Sequence, residues 1–322
     1  MFKFKKPSEK TLNIMANVAK GNDNENYENK CIEKIKDITN HENVRITSSG
    51  NNSIFIALSA IEGDIIIPDQ GGWHGFKQIA RFLNKNIVTL ETDLGLINPE
   101  SIEKLDIAEN SALIYTSFAG YAGEQDCKNI SKYCKNNSIT SIEDASAGIG
   151  DKLNKLGNGN YSNIIIASTG SPKIINVGSG GFISTNQKEI FEKTSLPQKL
   201  SKTNQIICSG IYSELENVSE KLELTLNATK HIKNNIDSAI HSNKRGVNVI
   251  IPHENAKEIS WNLKKSMPMD KSGFITTCPN YNRVKQKAIS VEIKNLSYEC
   301  LKKEYLENII SNLQKVLWFG QL

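Results

Sequence analysis

From Asn43 onward the chain repeats one pattern of apolar and polar positions: a short β-branched apolar run, a turn, then a stretch with helical spacing. "NVRITSSG" leads into "NNSIFIALSAI", "GDIIIPD" into "GWHGFKQIARFLN", and "NIVTLETD" into "NPESIEKLD". "SALIYTSF" precedes "EQDCKNISKYCKNN"; "ITSIEDAS", "SNIIIAST" and "GGFISTN" close the series. Short apolar strands alternating with helices predict an α/β fold, a three-layer, mostly parallel sheet covered by helices on both faces. Residues 8–39 read as polar helix with a soft break at "KGNDNEN". After about residue 190 the pattern changes, and "IYSELENVSEKLELTLNATKHIKNNIDSAI" reads as one long helix, kinked or straight, that bridges two units. Beyond it, "GVNVIIP", "GFITTCP" and "AISVEIK" alternate with turns before a last helix, "KKEYLENIISNLQKVLW". The expected organisation is an N-terminal helical segment (1–42), a large α/β domain (43–205), a linking helix (206–245) and a small α+β C-terminal domain (246–322).

Composition narrows the function classes. With 322 residues the chain is long enough to bury a full core, and 38% hydrophobic with 23% charged residues is ordinary for a globular protein. A net charge of +4, with no dense basic run interleaved with aromatics, argues against a nucleic-acid partner. Lysine carries the basicity, so the four arginines (Arg45, Arg81, Arg245 and Arg283) stand out. The six cysteines include no CxxC pair and no Cys/His spacing suited to zinc, so no metal site is expected. "MFKFKKPSEK" is basic but precedes no apolar run, and no segment reaches membrane-spanning length. A reduced, cytoplasmic protein without a membrane partner is the expectation.

In such sheets ligands bind beyond the carboxyl ends of the strands, which directs attention to Ser49–Asn52, Asp69–Trp73, Ser117, Asp144 and the Lys173 loop. "TSSGNNSIFIAL" sets Ser49 and Gly50 before a helix with Asn51 or Asn52 at its cap. Free N–H groups and the helix dipole favour an anion there, typically phosphate, although any well-capped helix shares the pattern. "PDQGGWHGF" puts Trp73 and His74 among glycines, either to stack on a flat heteroaromatic ring or to pack the sheet edge. "SITSIEDASAGIG" ends a strand on Glu143–Asp144. Asp144 suits a protonated ring nitrogen, or equally the cap of the next turn. "ASTGSPKIINVGSGGFIST" fences Lys173 between Ser, Gly and Pro on one side and Gly178, Gly180 and Gly181 on the other. A lysine so held can form a Schiff base with pyridoxal phosphate, and Ser168 and Ser171 are near enough in sequence to reach its phosphate. Taken singly, the loop could also be a glycine-rich hairpin. Order and position discriminate. A phosphate cradle, an aromatic platform, a ring-nitrogen carboxylate and a Schiff-base lysine are the parts that hold pyridoxal 5′-phosphate, and each sits at a strand end. A nucleotide fold fits worse, because "GSGG" is not GxxxxGK[ST] and leads into a strand.

Over about Val44 to Thr185 the chain resembles the DegT/StrS-type aminotransferases, a branch of the fold type I pyridoxal phosphate enzymes. Their "SGT-A" turn is similar to Ser49–Gly50–Asn51–Asn52, their stacking aromatic to Trp73, and their "EDAAQ" strand end to Glu143–Asp144–Ala145–Ser146–Ala147. Their lysine loop is similar to Ser168 and Lys173 followed by Gly178, Gly180 and Gly181. The resemblance implies Lys173 as the Schiff-base lysine, Asp144 as the ring-nitrogen partner and Ser168 as a phosphate ligand. It also implies a homodimer. The chain departs from the family pattern at Ala147, where a Gln or His is usual, and at Ser117 in "TSFAG", where a His is usual. It has no "NYR"-like segment after the lysine loop, and the small domain is short. Fold type I enzymes often place an arginine of the small domain on a substrate carboxylate, which makes Arg283 the candidate here, with His74 as a second substrate contact; Cys278 reads as structural.

The expected function is a pyridoxal phosphate-dependent aminotransferase. Lys173 would form the internal aldimine and later move a proton, Asp144 would keep the ring nitrogen protonated, and the amino group would pass to a keto-sugar or keto-acid. The alternatives are a lyase, decarboxylase or sulfur-handling enzyme with the same cofactor, or an inactive subunit of the same fold.

Overall fold

The computed structural model describes residues 1–271 and 273–319. In chain order its elements are α1 (Glu9–Ala19), α2 (Tyr27–Thr39), β1 (Asn43–Thr47), α3 (Gly50–Ser59), β2 (Ile65–Pro68), α4 (Gly75–Phe82), β3 (Ile87–Leu90) and β4 (Ala112–Thr116). A two-residue ladder follows, β5 (Phe118–Ala119) and β6 (Gly123–Glu124), then α5 (Cys127–Asn136), β7 (Thr140–Asp144), β8 (Ile164–Ser168) and β9 (Gly181–Thr185). Helices α6 (Lys188–Lys193), α7 (Ser195–Leu200), α8 (Gln205–Leu215) and α9 (Val218–Lys233) lead to β10 (Val249–Pro252) and α10 (Ala256–Ser266). The chain closes with β11 (Ile275–Cys278), β12 (Ala288–Val291) and α11 (Lys303–Phe319).

Seven strands form the main sheet in the order β1-β9-β8-β7-β4-β2-β3. Only β9 runs against its neighbours, pairing antiparallel with β1 and β8. The β-branched runs explain this arrangement. Along β8, Ile165 and Ala167 join the apolar cluster on one face, and Ile164 and Ile166 join the cluster on the other. Successive side chains point to opposite faces, so a strand buried on both sides must be apolar throughout. Helices α2, α5, α8 and the first half of α9 supply one cluster, and α3 and α4 supply the other. This is the three-layer architecture that the pattern predicts.

The small sheet has the order β10-β12-β11, antiparallel throughout, and has its own apolar cluster with the second half of α9, α10 and α11. The bridging stretch is not one helix. It breaks at Glu216–Asn217, where Asn217 leaves the helical region (φ −123°, ψ 25°). Asn is a weak helix former whose side chain competes for local hydrogen bonds, which suits it to a break. The helix also ends at Lys233, whose buried ammonium donates to the His241 and Lys244 carbonyls at 2.8 and 2.9 Å and so ties down the loop before β10. The first residues are extended rather than helical. Phe2 N–H donates to Pro268 O at 2.9 Å, Lys5 N–H donates to Asn295 O at 2.8 Å, and the Phe2 ring packs on Phe274.

Candidate active site

The carboxyl ends of β1, β2, β4, β7 and β8 converge, and these ends or the segments that follow them line one cavity of about 230 Å³. Its walls hold Ser49, Gly50 and Asn51 from the start of α3, Trp73, Asp144, Ser168 and Lys173. Tyr121, from the tip of the β5–β6 ladder, closes one side. Ser49 caps α3 by accepting from Asn52 N–H at 3.2 Å. Gly50 N–H faces Gly180 O in the short parallel bridge between Ser49 and Gly180, whereas Asn51 N–H, in the same first turn, has no backbone partner among the described residues and is available to an anion. Gly50 is required here, because a Cβ would lie 2.5 Å from Ser168 Cβ.

Trp73 folds across the cavity because Gly75 leaves room: a Cβ at position 75 would strike the indole. Its ring N–H donates to Asn51 Oδ1 at 3.1 Å, so Trp73 and the α3 turn are coupled. One oxygen of Asp144 accepts from Ser146 N–H at 3.0 Å and from the Ser146 hydroxyl. Its other oxygen has no partner among the described residues, a polar atom left to a ligand. Ser146 Oγ in turn accepts from Ser168 N–H at 2.8 Å, which locks the ends of β7 and β8 together.

Lys173 Nζ lies 3.2 Å from the Tyr121 hydroxyl. Burial opposes charge on this amine, but the Tyr121 phenol and the Asp144 carboxylate outweigh it and raise the amine above its ordinary value. A second cavity, about 790 Å³, opens on the other side of Trp73, Tyr121 and Lys173 toward the small domain. Arg283, Glu292, Lys294 and Lys264 line it together with Phe274, Met267 and Met269.

Three expected site residues lie elsewhere or are engaged otherwise. Asn52 turns its side-chain amide to Ser48 Oγ at 2.6 Å and does not line the cavity. His74 is exposed, its ring tilted 44° against that of Trp73 with centroids 4.0 Å apart, and lines neither cavity. Arg283 does face the larger cavity, but its guanidinium is taken by Glu292, with Nε and Nη2 at 3.0 and 3.2 Å from the two carboxylate oxygens. Glu292 also accepts from Asn248 at 2.7 Å and from Lys294, so no free arginine fork awaits a substrate carboxylate. Cys278 is buried, and burial pushes its thiol up to about 11, which removes it as a nucleophile. Ser117, at the usual histidine position, donates to the buried Glu143 carboxylate at 2.6 Å. Ser146, Tyr121 and Glu292 escaped sequence reasoning. Tyr121 did carry a signal: in "FAGYAG" an aromatic sits between glycines just past a strand end, the same signature as Trp73 in "GGWHG".

The donor set fits pyridoxal phosphate. The open Asn51 N–H and the hydroxyls at the α3 turn match a phosphate, the spare Asp144 oxygen matches a protonated ring nitrogen, and Trp73 supplies a flat face. Fold and cavity together define the class of the fold type I pyridoxal phosphate-dependent transferases. Residues 8–217 match the DegT/DnrJ/EryC1/StrS aminotransferase family, and residues 219–314 match the MJ1341 family C-terminal domain. The chain therefore belongs to the DegT/DnrJ/EryC1/StrS aminotransferase family, whose members use pyridoxal phosphate. A UDP-4-amino-4,6-dideoxy-N-acetyl-beta-L-altrosamine transaminase of Helicobacter pylori is 28% identical over 102 residues, 32% of this chain but only 27% of that protein. Among solved structures, ntda from Bacillus subtilis with bound cofactor PMP has a TM-score of 0.71 at 16% identity, covering 96% of this chain and 81% of that one. An aspartate aminotransferase of subgroup IV from Thermus thermophilus has a TM-score of 0.73 at 12% identity, covering 99% of this chain and 100% of that one. At these identities the likeness to solved structures is one of fold.

Proposed function

We propose that this chain is an aminotransferase that moves an amino group from a small amino donor to a keto-sugar or keto-acid, with Lys173 as the amine that holds the cofactor. One observation carries the reading: Lys173 Nζ, the spare oxygen of Asp144 and the open first turn of α3 face one cavity under Trp73. Bound there, pyridoxal phosphate supplies an aldehyde that captures amines and a ring that draws electrons from the neighbouring carbon. Asp144, oriented by Ser146, holds a proton on the ring nitrogen. Ser49, Ser168 and the Asn51 N–H group would hold the phosphate, and Trp73 would fix the ring plane. Lys173, as a free amine, would be the base and acid beside the reacting carbon. The larger cavity, reached past Trp73 and Tyr121, receives the donor and the acceptor.

A homodimer fits the surface, where Phe82 and Leu200 are 76% and 72% exposed on α4 and α7, the helices flanking α3. Six unpaired, buried cysteines fit a reducing cytoplasm. Among the described residues no helix is long and apolar enough to cross a membrane.

An amino-donor screen tests the reading. Protein loaded with pyridoxal phosphate and given L-glutamate or another amino donor should lose its visible absorbance and yield pyridoxamine phosphate, in stoichiometric amount without an acceptor. Consumption of the amino acid with release of carbon dioxide or sulfide, and no pyridoxamine phosphate, would instead establish a lyase.

A further inference from the structure

Tyr121 stands in an unusual place. Its backbone is left-handed (φ +66°), a conformation disfavoured for a bulky side chain and kept only where the surroundings enforce it. The surroundings do enforce it. Tyr121 N–H donates to Phe118 O at 3.0 Å, and its carbonyl accepts from Val247 and Asn248 at 2.8 and 3.0 Å, pinning the tip to the entry of the small domain. The next residue back, Gly120, could not carry a side chain, because a Cβ would lie 2.7 Å from Arg283 O. All this holds the phenol at 3.2 Å from Lys173 Nζ, between the two cavities.

Three cations face the same ring. Arg283 lies over it at 4.3 Å, Lys294 at 5.0 Å and Lys173 at 5.4 Å, and the Asp144 carboxylate acts on the phenol in the opposite sense, raising it. Glu292 holds both Arg283 and Lys294 in place.

We propose that Tyr121 is a catalytic residue that exchanges a proton with Lys173 Nζ, and that Arg283, clamped by Glu292, is a positioning residue for that phenol rather than a substrate-carboxylate fork. In one direction the ammonium of Lys173 gives its proton to the Tyr121 phenolate, leaving a neutral amine and a phenol. In the other direction the phenol returns it. Burial alone would raise the Tyr121 phenol, but Lys173, Arg283 and Lys294 together bring it below its ordinary value, which suits it to this exchange.

The inference rests on the reading of Lys173 as the cofactor-holding amine, and its test separates the two. Tyr121→Phe removes only the hydroxyl. In the cofactor-free protein, ultraviolet difference absorbance against pH should show one phenol titrating below the ordinary tyrosine range, absent from Tyr121→Phe. Arg283→Gln should move that titration upward and Arg283→Lys should restore most of it; the Tyr121→Phe measurements stand alone if Arg283→Gln does not fold. In the loaded enzyme Tyr121→Phe should lower kcat about a hundredfold, the scale of general acid–base catalysis, with little change in KM. A Tyr121→Phe enzyme with wild-type kcat, or a Tyr121 phenol titrating at or above its ordinary value, overturns the proposal. Absence of amino transfer by the wild type would overturn the functional reading while leaving the phenol titration to decide the Tyr121–Lys173 pair.

Discussion

Lys5 shows how much a single residue can cost this fold. It is 1% exposed, lies 4.8 Å over the Tyr298 ring, and its ammonium finds no hydrogen-bond partner among the described residues. Burial first, and then the charges of Lys294 and Lys221, bring the amine down to about 7 from its usual 10.5. The unfolded chain therefore binds this proton more tightly than the folded one. Stability falls as pH drops from about 10 toward 7 and loses nothing more below that, a span of a few kcal/mol. Lys5→Met keeps the apolar stem and removes the charge. It should raise the unfolding free energy at pH 7 by about 1–3 kcal/mol and flatten its rise between pH 7 and 10, as read by urea titration. A less stable Lys5→Met protein would show that the amine has a partner after all. Legibility also varied by residue. Lys173, Asp144 and Trp73 announce themselves because glycines and small residues surround them at strand ends. The Arg283–Glu292 pair does not, because its members meet only once β11 and β12 have folded back on each other, and an arginine of the small domain reads from sequence as free.

Among elements, the turn from β1 into α3 is the most sensitive to a small change. Gly50 packs against Ser168 with no space for a methyl group, and the contact is to Cβ and Cα at the end of a rigid central strand. Gly50→Ala must push α3 away from β8, and overpacking of this kind costs about 1–3 kcal/mol. The Asn51 N–H then moves away from the proposed phosphate site, so affinity for pyridoxal phosphate should fall about tenfold for each 1.4 kcal/mol of that misplacement. A cofactor titration by absorbance checks this, and unchanged affinity would remove the α3 turn from the phosphate site. At this scale the seven main strands and the three of the small sheet are readable, because short β-branched or apolar runs bounded by turn residues mark each of them, most plainly the Ile and Val runs of β2, β8 and β10. The break between α8 and α9 was not, since neither Gly nor Pro marks it and a single Asn is compatible with a continued helix. Nor was the path of residues 1–6, whose partners, Pro268 and Asn295, lie at the far end of the chain and leave no local pattern.

Over the whole molecule, two cavities meet at Trp73, Tyr121 and Lys173, one walled by the large sheet's strand ends and the other by the small domain. The first carries the donors of the proposed cofactor site, and the second, more than three times larger, is where the proposal places the donor and acceptor. Helix α9 contributes to the apolar clusters of both units, so the cleft between them is a property of the whole chain. The central claim is that this cleft exists to present Lys173. Borohydride reduction of the pyridoxal phosphate-loaded protein, followed by peptide mass spectrometry, tests it most directly. The phosphopyridoxyl mass should sit on the peptide carrying Lys173 and be missing from Lys173→Ala, whereas a stable adduct on another lysine of the wild type would contradict the account.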